Sequence, residues 1–174
     1  MTQAHRREAR THASPAPATP GLRRRLASFV YEGVLLFGVV MLAGFIYGNL
    51  TQQRHALQGT LGLQVTVFIA LGMYFVGFWT RQGQTLAMKT WHIRLVDAHG
   101  GPPSWTRSLA RYVASWIWFV PWLGAYRLLG WQGGWSLTAL LFGGVTLYAL
   151  LSRLHPERQF WHDQLCGTRL IDTR

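Results

Sequence analysis

One acidic side chain stands inside the most apolar stretch of the sequence and is the first candidate for chemistry. Glu32 is the only charged residue between Leu26 and Gly48, and this stretch is long enough to cross a bilayer. Arg25 precedes Glu32 by seven residues, so two helical turns place both side chains on one face, about 10 Å apart along the axis. A carboxylate inside a membrane span is costly unless it pairs, protonates or contacts water. We therefore predict a charged site in the first membrane helix, with Arg25 as the nearest partner for Glu32.

The composition of the chain is that of a membrane protein. Of its 174 residues, 49% are hydrophobic and only 13% are charged, compared with about 25% charged in soluble domains. Glycine and tryptophan are both abundant, as they are in helical membrane proteins. The net charge of +11 would suggest nucleic-acid binding in a soluble protein. Because membrane topology explains the basic residues, we expect no nucleic-acid partner.

Four apolar segments are predicted to form membrane helices, at about 26–48, 61–79, 109–127 and 135–151. The third is short and contains Pro121, so it either spans the membrane with Arg111 and Arg127 reaching the two surfaces or lies partly in the interface. With four spans, fifteen of the seventeen Lys and Arg residues fall on one side, which the positive-inside rule makes the cytoplasm. The predicted fold is an all-α membrane protein, a four-helix transmembrane bundle with both termini in the cytoplasm.

The remaining segments are predicted to lie in the cytoplasm. Residues 1–22 have no apolar run and are expected to form a disordered tail, which leaves 23–174 as the membrane domain. The loop 80–107 contains one alternating apolar pattern, and its sequence Arg-Leu-Val-Asp, ending at Asp97, returns as Arg-Leu-Ile-Asp in the C-terminal segment 152–174. We predict that these two short cytoplasmic strands pair with each other.

Three motifs together resemble the RDD family of bacterial membrane proteins, over about residues 22 to 172. The motifs are the Arg25 and Glu32 pair, the loop Arg81-Gln-Gly-Gln-Thr-Leu that runs into Ile-Arg-Leu-Val-Asp-Ala-His-Gly, and Trp-His-Asp-Gln-Leu-Cys-Gly-Thr around Asp163. The family is named for one arginine and two aspartates, which map to Arg25, position 32 and Asp163. Glu32 departs from this pattern because it keeps the charge but adds one methylene. The resemblance implies a bacterial inner (plasma) membrane protein with several helices, for which transport of ions or small solutes is the usual proposal.

These residues allow two interpretations of the charged site. Asp163 could pair with Arg25 from the cytoplasmic side and leave Glu32 free to titrate, with His162, Arg81 and Asp97 in supporting positions. Alternatively, all these charges pair only to assemble the fold. No histidine or cysteine spacing matches a zinc site, and no catalytic serine, cysteine or phosphate loop is present, so we expect no metal, no cofactor and no enzyme activity.

Two functions follow from these interpretations. In the first, a helix bundle moves a cation or proton past Glu32 in the lipid bilayer, and four short helices would need a homo-oligomer to form a complete path. In the second, the protein is a non-catalytic membrane scaffold or accessory subunit. Its cytoplasmic strands and basic surface would then dock an unknown protein partner or anionic lipid.

Overall fold

The computed structural model describes residues 18–52, 60–151 and 159–174. In these ranges the chain is mostly helical, with one two-stranded sheet. In chain order the elements are α1 (Leu22–Thr51), α2 (Thr60–Gln82), α3 (Leu86–Thr90), β1 (Ile93–Asp97), α4 (Trp105–Ser115), a 3-10 turn (Trp116–Trp118), α5 (Val120–Leu128), α6 (Gly134–Leu151), α7 (Trp161–Leu165) and β2 (Thr168–Asp172). Of the predicted disordered tail, residues 1–17 lie outside the described residues.

Three helices, α1, α2 and α6, are long and apolar enough to cross a membrane. They correspond to the first, second and fourth helices predicted from the sequence, although α1 begins and ends several residues beyond its predicted bounds. Many of their large apolar side chains point away from the protein, among them Val34, Phe37, Phe45 and Phe142. Such a surface is unfavourable in water and suits lipid contact, so length and exposure together indicate a membrane protein.

The segment predicted as a third helix over about 109–127 is not one continuous helix in the structure. The chain forms α4, the 3-10 turn and α5 instead, and Phe119 leaves the helical conformation between the last two (φ −123°, ψ −44°). Pro121 lies in the first turn of α5, where its missing N–H costs nothing, whereas inside a helix it would break a hydrogen bond and clash with the preceding turn. Within the described residues, three helices are therefore of spanning length and the segment from α4 to α5 is bent, so the predicted four-helix bundle is not confirmed.

The two strands that echo each other in sequence form the sheet, as predicted. β1 and β2 pair antiparallel with Leu95 opposite Leu170, and both side chains are buried. Gln159 fastens the edge of β2, because its side chain donates to the carbonyl of Leu170 at 3.0 Å and accepts from the Leu170 N–H at 3.1 Å. The sheet is therefore held by side chains from the C-terminal segment as well as by its own ladder.

The sheet is also fastened to the beginning of α1. The Asp172 N–H donates to the carbonyl of Ala18 at 2.8 Å. The Arg24 guanidinium forms an ion pair with the Asp172 carboxylate and donates to the carbonyl of Trp91. Chain segments that are 148 residues apart thus meet at the N-terminus of the first membrane helix.

Two glycines let aromatic rings approach membrane helices closely. A Cβ atom on Gly144 would lie 2.2 Å from the Trp122 ring, and one on Gly72 would lie 3.1 Å from the Tyr112 ring. Small residues of this kind are common where membrane helices pack tightly. They bring α5 against α6 and α4 against α2, which places the bent segment between the long helices.

Candidate functional site

The Glu32 carboxylate is bound by two hydroxyl groups from other elements. Tyr74 of α2 donates to Oε1 at 2.6 Å, and Thr85 donates to Oε2. The hydroxyl oxygen of Thr85 also caps α3 by accepting from the Met88 N–H at 3.2 Å. Glu32 is only 7% exposed. The carboxylate thus joins α1 to α2 and to the start of α3.

Arg25 does not pair with Glu32, which corrects the predicted partnership. Its guanidinium carbon lies 4.4 Å from the centre of the Phe160 ring, in a cation–π contact. The side chain is 5% exposed, and its Nε and Nη1 atoms are buried with no hydrogen-bond partner in the described ranges. The seven-residue separation had already required both side chains to stretch toward each other. In the fold each finds a different environment.

The Asp163 carboxylate is paired with an arginine that the sequence interpretation had not selected. Arg111 Nε of α4 donates to Asp163 Oδ1 at 2.7 Å, and both side chains are buried. Arg111 also stacks on Trp79, with its guanidinium carbon 4.2 Å from the ring centre. One of the two interpretations paired Asp163 with Arg25; the direct ion pair observed is with Arg111 and holds α7 against α4, whereas Arg25 is attracted to Asp163 without a direct bond.

His162 completes the Asp163 cluster in a neutral form. Its Nε2 lies 3.2 Å from Asp163 Oδ1, and its Nδ1 lies 3.0 Å from the Tyr148 hydroxyl. Burial is the main cause that lowers the pKa of His162, the Asp163 carboxylate raises it, and the Arg111 charge lowers it, so that the pKa is about 4. The neutral ring therefore carries its proton on Nε2, facing the carboxylate, and accepts from Tyr148 at Nδ1, an assignment that rests on this hydrogen-bond network.

Two residues with predicted supporting roles lie outside this group. Arg81 is exposed in the last turn of α2. Asp97 shapes the turn after β1, because its Oδ1 accepts from the backbone N–H groups of His99 at 2.9 Å and Gly101 at 3.2 Å. Of the three predicted supporting residues, only His162 belongs to the site.

A cleft of about 730 Å³ lies beside α1 and connects these charged groups. Its polar lining comprises Arg25, Glu32, Arg111 and His162 together with the hydroxyl side chains of Ser28, Tyr112 and Ser115, whereas most of its other lining residues are apolar. We call this space the α1 cleft. Its walls come mainly from α1, α2, α4 and the 3-10 turn, with single residues from α3, β1, α5, α6, α7 and β2 and with Phe119 and Phe160 from between elements.

Sequence reasoning missed four side chains that the fold brings to these groups: Tyr74, Thr85, Arg111 and Tyr148. Only Arg111 carried a usable signal, because it is the sole charged residue between Arg107 and Arg127. The three hydroxyl residues look like ordinary members of their segments. In the residues that the structure describes, no group of three or more His, Cys, Asp or Glu side chains is arranged to hold a metal ion.

Comparison with known proteins places the chain in a family. Neither the curated proteins nor the solved structures give a match. The model of the RDD family matches residues 19–167, which includes Arg25, Glu32, Arg111 and Asp163. This match covers most of the chain, so the protein belongs to the RDD family.

Proposed function

We propose that this protein is a multi-pass protein of the bacterial inner membrane that transports an ion or small solute, with Glu32 as the coupling carboxylate. The observation that carries the proposal is a buried carboxylate in the wall of the α1 cleft, bound by the hydroxyls of Tyr74 and Thr85. An ionisable group inside a membrane helix is expensive and is by default a functional candidate.

The chemistry around Glu32 suits a hard cation or a proton. Carboxylate and hydroxyl oxygens are the ligands that hard cations prefer. Both hydroxyls now donate to Glu32, but a hydroxyl can rotate and offer its lone pairs to a cation instead. The three side chains come from α1, α2 and the residue before α3. If a cation or proton replaced these hydrogen bonds, the contact of α1 with α2 and with the start of α3 would weaken.

The proposed topology has four membrane-inserted segments, with α4 to α5 as the bent third one and both termini in the cytoplasm. The distribution of Lys and Arg supports it through the positive-inside rule. A chain with so few helices has little room for a complete path, so the transporting form in this proposal is a homo-oligomer.

The test is ion flux in proteoliposomes loaded with a pH-sensitive dye, under an imposed Na⁺, K⁺ or proton gradient. Wild-type protein is expected to show flux and Glu32→Gln to fall to the level of empty vesicles, because the amide cannot take up a proton or bind a cation through charge. Tyr74→Phe removes one donor and should give an intermediate rate. Asp97→Asn is the matched control, since it removes a carboxylate from a turn outside the cleft, and it should keep the wild-type rate.

Two outcomes would contradict the transport proposal. One is wild-type protein that is folded, by its circular dichroism and elution as a single species, yet shows no flux under any gradient. The other is Glu32→Gln that transports at the wild-type rate. If the protein stayed strictly monomeric in lipid nanodiscs, the part of the proposal that makes the transporting form a homo-oligomer would be wrong.

A second candidate is a non-catalytic scaffold or accessory subunit that docks a partner through its sheet side. It is favoured by the fact that the charges already bind within the fold, Glu32 to two hydroxyls and Asp163 to Arg111. In this case Glu32→Gln would be mild, whereas Leu95→Asp, which puts a charge into the buried face of β1, would abolish partner binding. Neither candidate assigns the protein a catalytic role.

A further inference from the structure

We infer that the α1 cleft binds one anionic phospholipid, with its phosphate on Arg25 and an acyl chain along α1. Binding of this kind is independent of ion transport and would hold for a transporter or a scaffold. The inference rests on three features of the described residues: unpartnered donors at one end of the cleft, apolar walls along its length, and the position of both relative to the membrane span.

The donors are the Nε and Nη1 atoms of Arg25, which are buried without a partner within residues 18–52, 60–151 and 159–174. A buried guanidinium normally has its N–H groups satisfied, because unpaired buried donors cost free energy. Asp163 attracts Arg25 electrostatically but forms no direct bond with it: its Oδ1 is bound to Arg111, and its Oδ2 is also buried without a hydrogen-bond partner among the described residues. The neighbouring Arg24 is engaged by Asp172. Arg25 therefore lines the cleft with a positive charge and two N–H groups for which the described residues supply no acceptor.

The N-terminus of α1 adds to the positive charge of Arg25 at this end of the cleft. The helix has no side-chain cap at Gly21 and no acidic residue in its first turn, so the positive end of its dipole is not offset by a carboxylate of its own. A phosphate group is the anion that both a helix N-terminus and an arginine bind well.

The walls of the cleft follow α1 for much of the membrane. The lining residues Arg25, Phe29, Gly33, Leu36 and Val40 recur every three or four positions, so they share one face of the helix. From the first to the last, this face is about 22 Å long, compared with about 30 Å for the whole hydrocarbon core. An acyl chain runs in the same direction as a spanning helix and would fill such a space, whereas a free phosphate would leave it empty.

The two other charged residues that line the cleft, Glu32 and Arg111, already have partners within the protein. Glu32 lies about 10 Å deeper than Arg25 along the helix, and both its oxygens already accept hydrogen bonds from Tyr74 and Thr85. Arg111 is neutralised by Asp163. Among the residues described, Arg25 is thus the cleft-lining charge whose Nε and Nη1 have no hydrogen-bond partner, and the carboxylate that attracts it, Asp163, is ion-paired with Arg111. A basic pocket between membrane helices is a known way of holding an anionic headgroup.

The test is binding of long-chain phosphatidylglycerol to the purified full-length protein in detergent, measured by native mass spectrometry and by titration. We expect one tightly held phosphatidylglycerol per chain and weaker retention of phosphatidylcholine with the same chains. Arg25→Gln should weaken phosphatidylglycerol binding by about tenfold or more, since a charge-assisted contact is lost. Arg23→Gln is the matched control: it removes an exposed positive charge two residues away and should change binding by less than about twofold.

A second pair of variants tests the acyl chain without touching the charge. A side chain added at Gly33 meets nothing within 4 Å, so Gly33→Phe is expected to fold and to fill the cleft. Gly38 is equally open but is not among the lining residues, so Gly38→Phe is its control. Gly33→Phe should lose the bound lipid and Gly38→Phe should retain it.

The inference is overturned if Arg23→Gln and Arg25→Gln weaken binding equally, or if Gly33→Phe retains the lipid. It is also overturned if inorganic phosphate displaces the lipid at equal concentration, which would make the cleft a free-phosphate site. A wild-type dimer that separates in Gly33→Phe would assign the cleft to a second copy of the chain. Because flux is not measured in this experiment, its failure leaves the transport proposal standing.

Discussion

Two buried arginines in this protein have similar surroundings and different partners. Arg25 and Arg111 are each less than 10% exposed, and each guanidinium stacks on an aromatic ring, at 4.4 Å from Phe160 and 4.2 Å from Trp79. Arg111 donates to a buried carboxylate at 2.7 Å. Arg25 has two buried N–H groups without a partner in the described part of the chain. Stacking on a ring is therefore common to both, and a direct ion pair distinguishes them, because Asp163 bonds to Arg111 and attracts Arg25 only through space.

This difference separates a charge that assembles the fold from one that is available to a ligand. A buried ion pair contributes little net stability, but loss of one partner is costly because the other charge remains buried. The Arg111 pair with Asp163 therefore constrains α7 to α4. Arg25 has no such pair, so its substitution changes what the cleft can bind more than it changes the fold.

The largest effect is expected from breaking the paired site. Asp163→Asn and Arg111→Met each leave one buried charge uncompensated and should lower the free energy of unfolding by about 3–5 kcal/mol. Chemical unfolding in detergent, followed by tryptophan fluorescence, measures this. Asp97→Asn is the control and should unfold at the wild-type denaturant concentration. A loss below about 1 kcal/mol in both variants would mean that this pair does not hold α7 to α4.

An intermediate effect is expected from acid, through His162. In the folded protein its pKa is about 4, whereas in the unfolded chain it is about 6.5. Between these values the unfolded chain binds a proton that the folded protein does not, so the stabilisation is complete above pH 6.5 and is lost as the pH falls toward 4. The loss should be about 3 kcal/mol.

The measurement for His162 is unfolding at a series of pH values between 7 and 4. His162→Gln should flatten the pH dependence in this window, because no imidazole remains to take up the proton. His99 is exposed, so His99→Gln should follow the wild-type curve. An equal slope in wild type and His162→Gln would show that another group governs acid stability.

The smallest effect on stability is expected at Arg25. Arg25→Met removes a buried charge, and the carboxylate that attracts it, Asp163, keeps its ion pair with Arg111, so the free energy of unfolding should change by less than about 1 kcal/mol, in either direction. The same unfolding experiment compares it directly with Arg111→Met. A loss at Arg25→Met as large as at Arg111→Met would erase the difference between the two sites and point to an unrecognised structural role for Arg25.

Part of this organisation was readable from the sequence because it depends on neighbouring residues. The apolar runs gave α1, α2 and α6, since the length of a spanning helix is set by the thickness of the membrane. The repeated Arg-Leu-Val-Asp and Arg-Leu-Ile-Asp segments correctly predicted two strands that pair. The break at Phe119 was not predicted, although Pro121 was visible, because a count of uncharged residues ignores backbone geometry.

The order of residues is enough to identify the segments apolar enough for a membrane, the carboxylate inside the first of them, and the two segments that form the sheet. The partners of these charges follow from the folded arrangement: Glu32 binds Tyr74 and Thr85, and Asp163 binds Arg111. These contacts join residues 42 to 53 positions apart. Hydrogen bonds and ion pairs of this kind require atoms to meet within about 3 Å, and helix packing sets such distances, whereas residue spacing sets only which side chains share a face.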